Sequence, residues 1–458
     1  MEQKSKIMQM NEYELIQSIQ SQNISVCVIG IGRIGLPTAL SFANSGLSTV
    51  GVDINSKLID MINSKIFPLK DEPGYDIIFE KVTNEKFHAS TKIQDVVPKS
   101  DVIVLSLPTP MDENNVPDYS ALLSVGKQLG EFLSKDSLVI VESTVEPGFI
   151  ENDLINVIEN SDKKLVAGKD FAIGVCPETA NPGQIMNDFE KLPRLVGAIN
   201  DDTSNVIMKI YKHVFTVDLI PMPNCKTANA VKLTTNVFRD INIAFVSELS
   251  LMFEKLGIDT MKVLEAATKK YNFQVHYPGA GVGGPCLPIN SYQLLNAGRR
   301  SGISLNLIEQ GRKINEKMPE HVVKLTLDAF KDANKTIQNS DILILGISYK
   351  PDVKDIQLTP AEDVIKKLQT LGVKIHLHDP YFSGNEIFGI KVENNLDEII
   401  EKVDASIIIT AHKEFKEIDL SFFKKMKTSI LIDTRGIIEP VLASQTNLIF
   451  RGLGRGNP

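Results

Sequence analysis

The chain has 458 residues, of which 43% are hydrophobic and 23% charged, and its 49 basic and 57 acidic side chains leave a net charge of −8. This length accommodates two to four domains with their own cores, and the composition is that of a folded globular protein. The charge balance argues against nucleic acid or a membrane surface as partner, and no apolar run reaches the roughly 18 residues of a membrane span. The four cysteines stand far apart without metal-ligand or redox spacing, which predicts reduced thiols in a cytoplasmic protein without a metal.

Residues 1–22 are polar, carry no signal-peptide pattern, and are expected to form a helical extension placed before the fold begins. In residues 23–223, short runs rich in Val and Ile alternate with helical patterns. Such nearly continuous apolar runs are typical of parallel strands buried on both faces, and their alternation with helices predicts a Rossmann-like, doubly wound α/β sheet. The runs are Ser25–Gly30, Thr49–Ile54, Asp101–Leu107, Leu138–Glu142, Phe171–Cys176 and Leu195–Ala198.

Residues 224–320 have a mostly helical pattern. The stretch from Cys225 to Leu256 would form a helix of about 48 Å, longer than one small domain, and Gly257 offers a C-terminal stop. We therefore predict a long central helix that joins two domains and contributes to a homodimer or a higher homo-oligomer. Strand–helix alternation resumes in residues 321–458, which predicts a second Rossmann-like domain. Its strand runs are Asp341–Ile347, Val373–His378, Ala405–Thr410, Ser429–Asp433 and Leu448–Phe450.

A glycine-rich turn follows the first strand and precedes a helical stretch. It consists of Gly30, Ile31, Gly32, Arg33, Ile34 and Gly35, and Asp53 ends the next strand. Gly30 permits the tight turn, Gly32 lets the backbone approach a pyrophosphate, and Gly35 allows close packing of helix on strand. A carboxylate at Asp53 would accept hydrogen bonds from ribose hydroxyls and repel a 2′-phosphate. The pattern favours NAD over NADP, and a turn without a ligand is the alternative.

Three polar segments follow predicted strands of the first domain, at the sheet edge where ligands bind in open α/β folds. Leu107–Pro110 and Glu142–Gly148 are two of them, although such segments are more often plain turns. Glu178 follows the strand run that ends at Cys176, and a carboxylate there can orient or activate a water. A surface glutamate without a function is the alternative for Glu178.

The segment Gly279–Pro288 surrounds one cysteine, Cys286, with glycines. A flexible backbone would expose this thiol to a substrate carbon, which predicts a nucleophile for aldehyde oxidation rather than a structural cysteine. On the central helix Lys232, Asn236 and Arg239 are spaced to share one face. Such a face is usually only solvated, but beside a reactive cysteine Lys232 and Asn236 would stabilise an oxyanion.

Together these motifs resemble the UDP-glucose/GDP-mannose dehydrogenase family of nucleotide-sugar 6-dehydrogenases. The resemblance extends over roughly residues 24–455, and the run from Asn236 to Ala244 is similar to the branch that acts on UDP-N-acetylmannosamine. The matching motifs are GIGRIG with Asp53, Thr109-Pro110, Glu142-Ser143-Thr144, Pro177-Glu178, Lys232 with Asn236, GVGGPC, LGISYKP with Asp355 and Thr359-Pro360, and His378-Asp379-Pro380-Tyr381.

The resemblance implies a four-electron oxidation of the C6 alcohol of a UDP-sugar, with two NAD used in succession and Cys286 as the nucleophile. UDP-N-acetylmannosamine is the substrate it favours, with UDP-N-acetylglucosamine and UDP-glucose as alternatives. It further implies that Thr144 and Glu178 hold water, and that Lys232 and Asn236 stabilise the oxyanion. The implied cofactor contacts outside the glycine-rich turn are Thr109, Pro110 and Thr144, and the implied substrate contacts are Arg239, Gly283, Tyr349, Lys350, Arg435 and His276, the last from a neighbouring subunit.

Two positions depart from the family pattern. Asn290 stands where the family usually has Asp, and Gln357 stands where it usually has Arg. Asn290 keeps hydrogen-bonding capacity but loses a charge and a base, and Gln357 removes a cation expected near cofactor phosphates. Two alternatives to the four-electron enzyme follow: a single-step alcohol dehydrogenase that releases the aldehyde, and an inactive nucleotide-sugar-binding protein.

Overall fold

The structure, a computed structural model, describes residues 7–69, 71–83 and 85–456. Two compact units make up the chain. The first comprises the residues up to Thr235 together with Tyr292–Ile303, and the second comprises Asn236–Ser291 together with the residues from Ser304 onward. These bounds differ from the three domains expected from sequence, with boundaries near residues 223 and 320, and that division stays a prediction.

The first unit is built on an eight-stranded sheet with the strand order β3-β2-β1-β4-β5-β6-β7-β8. All its neighbouring strands are parallel except β6 and β7, which pair antiparallel. The first six strands have the order of a dinucleotide-binding Rossmann sheet. The strands are β1 (Ser25–Ile29), β2 (Ser48–Val52), β3 (Phe87–Ser90), β4 (Val102–Leu105), β5 (Leu138–Val141), β6 (Ala172–Val175), β7 (Arg194–Ala198) and β8 (Leu219–Met222).

Helices cover both faces of this sheet. On β1, Val26 and Val28 enter one hydrophobic cluster while Cys27 and Ile29 enter another. Alternate residues of one buried strand therefore serve two cores, which is why the strand reads as a continuous apolar run. The helices are α1 (Glu12–Gln20), α2 (Gly35–Asn44), α3 (Ser56–Asn63), α4 (Tyr75–Val82), α5 (Ile93–Val96), α6 (Ser120–Phe132), α7 (Ile155–Glu159), α8 (Ile185–Lys191) and α9 (Asp201–Val214), with 3₁₀ turns at Ile7–Gln9 and Val97–Lys99 and a π-helical turn at Ile150–Leu154.

The N-terminal segment is part of the first unit, which corrects the expectation of an extension placed before the fold. Residues 1–6 of that expected extension lie outside the described residues. From Ile7 onward the chain forms a short 3₁₀ turn and then α1, capped by the side chain of Asn11. Ile7, Leu15 and Ile19 are buried in the same cluster as Val26, because α1 turns its apolar stripe towards this core.

The second unit contains a five-stranded parallel sheet of order β10-β9-β13-β14-β15 and a small antiparallel pair, β11-β12. Ile342 and Ile344 of β9 enter one cluster and Leu343 and Leu345 the other, so this sheet is also covered on both faces. Its strands are β9 (Asp341–Leu345), β10 (Lys374–His378), β11 (Glu386–Ile387), β12 (Ile390–Lys391), β13 (Ala405–Ile408), β14 (Ile430–Asp433) and β15 (Ile449–Gly452). The two sheets confirm the predicted α/β class with two Rossmann-like sheets.

The predicted central helix is present as α10 (Cys225–Leu256), and it ends at Gly257, whose φ of +69° lies in the left-handed region that favours glycine. None of the helices within the described ranges combines the length and the apolar character of a membrane span. The remaining helices are α11 (Thr260–Ala267), α12 (Leu287–Arg300), α13 (Asn306–Asp332), α14 (Pro360–Thr370), α15 (Leu396–Ile400), α16 (Lys413–Lys416), α17 (Leu420–Phe423) and α18 (Pro440–Ser444).

Candidate active site

The glycine-rich turn lies between β1 and α2 in the first unit. Gly30 has a φ of +86°, and a Cβ at this position would collide with the carbonyl of Ser106. A Cβ on Gly35 would collide with the carbonyl of Gly30, so that α2 approaches the strand closely. A Cβ on Gly32, by contrast, would meet no other atom within 4 Å, which leaves open space for a ligand phosphate at the start of the helix.

Asp53 follows β2 next to this turn, and backbone donors fix its carboxylate. Oδ2 accepts a hydrogen bond from the Ile31 amide at 3.1 Å, and Oδ1 accepts one from the Asn55 amide at 2.9 Å. The Arg33 guanidinium pairs with Asp71 and lies 3.3 Å from Glu72. Arg33 therefore contributes its backbone to the turn while its side chain is held by acidic groups. The open space at Gly32 and the fixed carboxylate of Asp53 fit a dinucleotide.

The loops after β4 and β5 meet at Thr109 and Thr144. The Thr109 hydroxyl donates to the Thr144 carbonyl at 3.0 Å, and the Gln293 side-chain amide donates to the same carbonyl at 3.0 Å. Pro110 lies in the same loop as Thr109, and its carbonyl accepts from the Asp118 amide at 2.8 Å. The structure thus brings Thr109, Pro110 and Thr144 to the carboxyl edge of the sheet that also carries the glycine-rich turn.

Glu178 lies just after β6, and both oxygens of its carboxylate are engaged. Oε1 accepts from the backbone amides of Thr179 at 2.6 Å and Ala180 at 2.7 Å, while Oε2 lies 2.8 Å from Nη1 of Arg194. The Glu178 side chain is 9% exposed and that of Arg194 is 2% exposed. A carboxylate held in this way at a small opening has a fixed orientation in which to hold a water.

Arg194 begins β7 and lies among aromatic rings and a second carboxylate. Its guanidinium carbon lies 4.3 Å from the ring centre of Phe189 and 3.9 Å from that of Phe215, within the range of cation–π attraction. The second carboxylate is Glu142, whose Oε1 lies 3.6 Å from Nη1 of Arg194. One buried cation therefore faces two carboxylates, Glu142 and Glu178.

Glu142 is buried more deeply than Glu178 and is tied to α2. Its carboxylate accepts from the Tyr211 hydroxyl at 2.8 Å and from the Thr38 hydroxyl at 3.0 Å. Burial raises the pKa of Glu142 to about 7, although the charge of Arg194 opposes this rise. We refer to Thr38, Glu142, Glu178, Arg194 and Tyr211 as the Arg194 cluster.

Cys286 is exposed, whereas Cys27, Cys176 and Cys225 are buried. Burial raises the pKa of Cys176 and of Cys225 to about 12, and it raises that of Cys27 still further. A thiol of this kind stays protonated and unreactive at neutral pH. Among the four cysteines, Cys286 is thus the one that a substrate can reach.

The glycines before Cys286 pack against the second unit's own elements. Gly284 has a φ of +87°, and a Cβ there would meet the ring of Tyr349; its amide donates to the Gln357 carbonyl at 2.9 Å. A Cβ on Gly283 would collide with the carbonyl of Leu358. Only glycine fits at both positions. Close packing against Leu358 and Tyr349 therefore explains why glycines precede Cys286.

On α10, Lys232 is 8% and Asn236 9% exposed, whereas Arg239 is exposed. Because all three stand on one continuous helix at this spacing, they share one face of α10, and their proposed roles stay predictions. The Asn236 side-chain amide donates to Oδ1 of Asn290 at 2.6 Å. Asn290, one of the two departures from the family pattern, lies in the first turn of α12 and orients a residue predicted to stabilise an oxyanion.

The second unit has a small cavity, open to solvent, at the carboxyl edge of its sheet. Its lining residues include Tyr349, Lys350 and Arg435, three of the residues that the resemblance implied as nucleotide contacts. The buried Nε of Arg435 has no hydrogen-bond partner among the described residues, which suits it to an anionic ligand. The full lining is Ala280, Gly281, Ser348, Tyr349, Lys350, Pro351, Pro360, Ile409, Thr410 and Arg435.

His276 lies beside α10 in the same unit. Its ring packs edge-on against Phe238, with 5.9 Å between ring centres, and its Nδ1 lies 3.1 Å from the Gln274 carbonyl. Burial and then the charge of Arg239 lower the pKa of His276, which keeps the ring neutral at pH 7. Its predicted contact with substrate from a neighbouring subunit stays a prediction.

Two buried groups were missed from the sequence. Arg194 stands one residue before a predicted strand run. A charged residue directly beside a buried strand could have indicated a buried charge with an acidic partner. Asp240 on α10 accepts hydrogen bonds from Arg312 at 2.9 Å, Asn315 at 2.8 Å and Ser291 at 2.7 Å. No sequence spacing links these four residues, since they meet only through the packing of α10, α12 and α13.

Three sequence models of one family match the chain. The UDP-glucose/GDP-mannose dehydrogenase NAD binding domain matches residues 24–215, the central domain matches residues 226–317, and the UDP binding domain matches residues 343–440. The first range contains the glycine-rich turn and Asp53, and the last contains the lining residues Tyr349, Lys350 and Arg435.

Curated relatives resemble the chain over nearly its whole length. A UDP-N-acetyl-D-mannosamine dehydrogenase of Pyrococcus horikoshii is 34% identical over 94% of this chain and 99% of its own. A UDP-N-acetyl-D-glucosamine 6-dehydrogenase of Pseudomonas aeruginosa is 29% identical over 91% of this chain and 98% of its own.

Solved structures are likewise similar to the chain over nearly its whole length. The UDP-D-ManNAc dehydrogenase of Pyrococcus horikoshii superposes with a TM-score of 0.87 at 32% identity, covering 95% of this chain and 100% of the other. Native Cap5O, a UDP-N-acetyl-mannosamine dehydrogenase of Staphylococcus aureus, superposes with a TM-score of 0.81 at 30% identity, covering 94% and 98%. NAD is the cofactor, in agreement with the open turn and the fixed carboxylate of Asp53. The chain belongs to the UDP-glucose/GDP-mannose dehydrogenase family.

Proposed function

We propose that the chain oxidises the C6 alcohol of UDP-N-acetylmannosamine to the carboxylate, with Cys286 as the nucleophile. The family and the names of the relatives indicate an NAD-dependent UDP-sugar dehydrogenase. The observation that carries the proposal is the exposed thiol of Cys286, which follows a glycine segment that both lines the cavity and packs on Tyr349. Several relatives named as UDP-N-acetyl-D-mannosamine dehydrogenases favour that sugar.

The chemistry proceeds through two covalent adducts on Cys286. The glycine-rich turn and Asp53 would hold NAD, and two NAD molecules used in succession would supply the hydride acceptors, one for a hydride leaving C6 of the alcohol and one for a hydride leaving C6 of the first adduct. The Cys286 thiolate adds to the aldehyde carbon, and Lys232 and Asn236 stabilise the oxyanion of the resulting thiohemiacetal. A water held by Thr144 and Glu178 then attacks the thioester, the C–S bond breaks, and the thiolate is restored. One alcohol, one water and two NAD yield one carboxylate, two NADH and three protons.

The nucleotide end of the substrate is assigned to the cavity of the second unit. Lys350 and Arg435 supply positive charge for the diphosphate, and Tyr349 supplies an aromatic ring for the base. Arg239, Gly283 and His276 are proposed contacts of the sugar and its phosphate. The unpartnered Nε of Arg435 supports this assignment, because a phosphate oxygen would satisfy it.

Asn290 is the reason to test two other outcomes. Its carboxamide binds Asn236 but cannot act as a base, so the thioester step is the one that this departure from the family pattern affects. If hydrolysis is disabled, the protein oxidises the alcohol once and releases the aldehyde, and if both steps are disabled it only binds the nucleotide sugar.

Product stoichiometry tests the proposal. NADH and sugar acid are measured with UDP-N-acetylmannosamine, UDP-N-acetylglucosamine, UDP-glucose and GDP-mannose in parallel. We expect UDP-N-acetylmannosamine to be turned over with two NADH per acid. Cys286→Ala should abolish acid formation, while Cys225→Ala, which removes a buried thiol, should retain it. One NADH per product would show the single-step enzyme, binding without turnover would show the inactive protein, and acid formation by Cys286→Ala would refute the nucleophile.

We further propose that α10 pairs with a second copy of the chain. Phe238, Phe245 and Met252 are 46%, 49% and 47% exposed and stand seven residues apart on this helix. A seven-residue apolar repeat is the spacing by which helices pair, and around a two-fold axis such a row meets itself.

A further inference from the structure

The segment after β9 supplies a large part of the cavity wall. Ser348, Tyr349, Lys350 and Pro351 line the cavity, and we call residues 347–353 the cavity loop. The Thr410 hydroxyl donates to the Ser348 carbonyl at 2.5 Å, and the Ser348 hydroxyl donates to the Val353 carbonyl at 2.7 Å. The position of Tyr349 and Lys350 therefore depends on what holds the two ends of this loop.

His412 holds the far end of the cavity loop. It is fully buried, and the backbone amide of Asp352 donates to its Nδ1 at 3.0 Å. Asp352 has a φ of +60°, in the left-handed region that a residue with a side chain occupies at a cost. The hydrogen bond to His412 is one of the contacts that offset this cost; another is the Lys413 amide, which donates to Oδ1 of Asp352 at 3.1 Å.

Asp379 holds the near end. Its Oδ2 accepts from the backbone amides of Ile347 at 2.9 Å and Ser348 at 3.3 Å, and it lies 3.1 Å from Nε2 of His412. The His412 hydrogen bonds and backbone donors keep the pKa of Asp379 below its usual range despite burial. His412 and Asp379 thus form one buried pair that connects both ends of the loop.

The hydrogen bonds determine the tautomer of His412. A backbone amide can only donate, so Nδ1 must accept and carries no proton. Nε2 then carries the proton and donates it to Asp379. The Tyr381 ring covers this imidazole, with 5.1 Å between ring centres. Both ring nitrogens are used, and neither is available to a ligand.

We propose that His412 is a positioning residue for the nucleotide end of the substrate. It acts through the backbone of Asp352 and so places Tyr349 and Lys350 at the cavity, without touching the ligand itself. This inference rests on the proposed function, in which that cavity takes the nucleotide. It predicts that the acceptor at Nδ1, rather than the bulk of the ring, matters for affinity.

Two substitutions test the contributions of the two ring nitrogens of His412 separately. His412→Asn places a carbonyl oxygen near the position of Nδ1 and keeps an acceptor for the Asp352 amide. His412→Gln places its amide near Nε2, which keeps a donor for Asp379 but leaves the Asp352 amide unpaired. UDP is titrated into the full-length protein by calorimetry, with no NAD present. We expect His412→Gln to weaken UDP binding roughly tenfold and His412→Asn to stay within roughly threefold of the wild type.

His376→Gln is the matched control, since His376 of β10 pairs with Asp341 of β9 and its substitution should leave UDP affinity unchanged. In turnover, His412→Gln should raise KM for the UDP-sugar while kcat stays near that of the wild type. Equal affinity in both His412 variants and the wild type overturns the inference, as does equal weakening of both. If His412→Gln does not fold, the UDP affinity of folded His412→Asn tests the inference by itself. A tenfold loss of UDP affinity in that variant overturns the role of the Nδ1 acceptor, and an affinity near that of the wild type supports it. A wild type that does not bind UDP instead overturns the assignment of the cavity.

Discussion

Glu142 is the residue whose environment makes stability depend on pH. The folded protein holds its proton up to about pH 7, whereas an exposed carboxyl of this type releases it near 4.5. Between these values the unfolded chain is ionised and the folded chain is protonated, so stability falls as pH rises through this window. Below it both states are protonated and the full stability is present. The rise in pKa corresponds to a loss on the order of 3 kcal/mol by pH 8.

Glu142→Gln should remove this loss, because the amide cannot ionise. The free energy of unfolding of each protein is measured in urea at pH 5 and at pH 8. Between these pH values the wild type should lose on the order of 3 kcal/mol more than the variant. Glu320→Gln, at a side chain 62% exposed, serves as the control and should leave the pH dependence unaltered. Parallel pH profiles for Glu142→Gln and the wild type would contradict a proton held at this position.

The Arg194 cluster contains both a residue that the sequence predicted and one that it did not. Glu178 was predicted because it follows a strand, and strand ends in these sheets face ligands. Its partner Arg194 was not, since the ion pair joins β7 to the loop after β6 and no spacing along the chain encodes it. The role of His412 was not predicted, because the Asp352 amide that binds it comes from a loop 60 residues away.

At the scale of elements, every strand of the first sheet was predicted except its two edge strands, whereas in the second sheet the edge strands β10 and β15 were predicted as well. β3 and β8 are the two ends of the first sheet. β3 carries His88 and Ser90, and β8 carries Pro221, so neither forms the continuous apolar run of a strand buried on both faces. The antiparallel pairing of β7 with β6 was also missed, because a run of apolar residues has no direction. The bounds of α10 were predicted correctly, since its length and its glycine stop are local features.

Helices α10 and α13 are joined by the buried ion pair of Asp240 and Arg312, whose side chains are 2% and 4% exposed. Removing one partner leaves the other charge buried without its main counter-ion. Asp240→Asn and Arg312→Met should therefore each lower the free energy of unfolding by about 3–5 kcal/mol. The double variant should cost clearly less than the sum, which a double-mutant cycle in urea measures. Additive losses would show that the two charges do not stabilise each other.

At the scale of the whole molecule, α10 is continuous through the boundary at Thr235, and its C-terminal part belongs to the second unit. That part has two kinds of surface. Asn236 and Asp240 are buried on one side, where they bind residues of α12 and α13, while Phe238 and Phe245 are exposed on the other. A monomer would leave the second side as an apolar row in water, which is the physical reason to expect a partner helix there.

The mass in solution decides whether this row pairs. At micromolar concentration we expect light scattering to give at least twice the chain mass of 50.6 kDa. Phe245→Glu and Met252→Glu would each place a carboxylate against an apolar partner surface and, near the two-fold axis, against its own copy, so both should shift the mass towards one chain. Tyr271→Glu, at a side chain 94% exposed off this helix, is the control and should keep the oligomer. A wild type with the mass of one chain, or Glu variants that stay associated, would place any contact elsewhere than on α10.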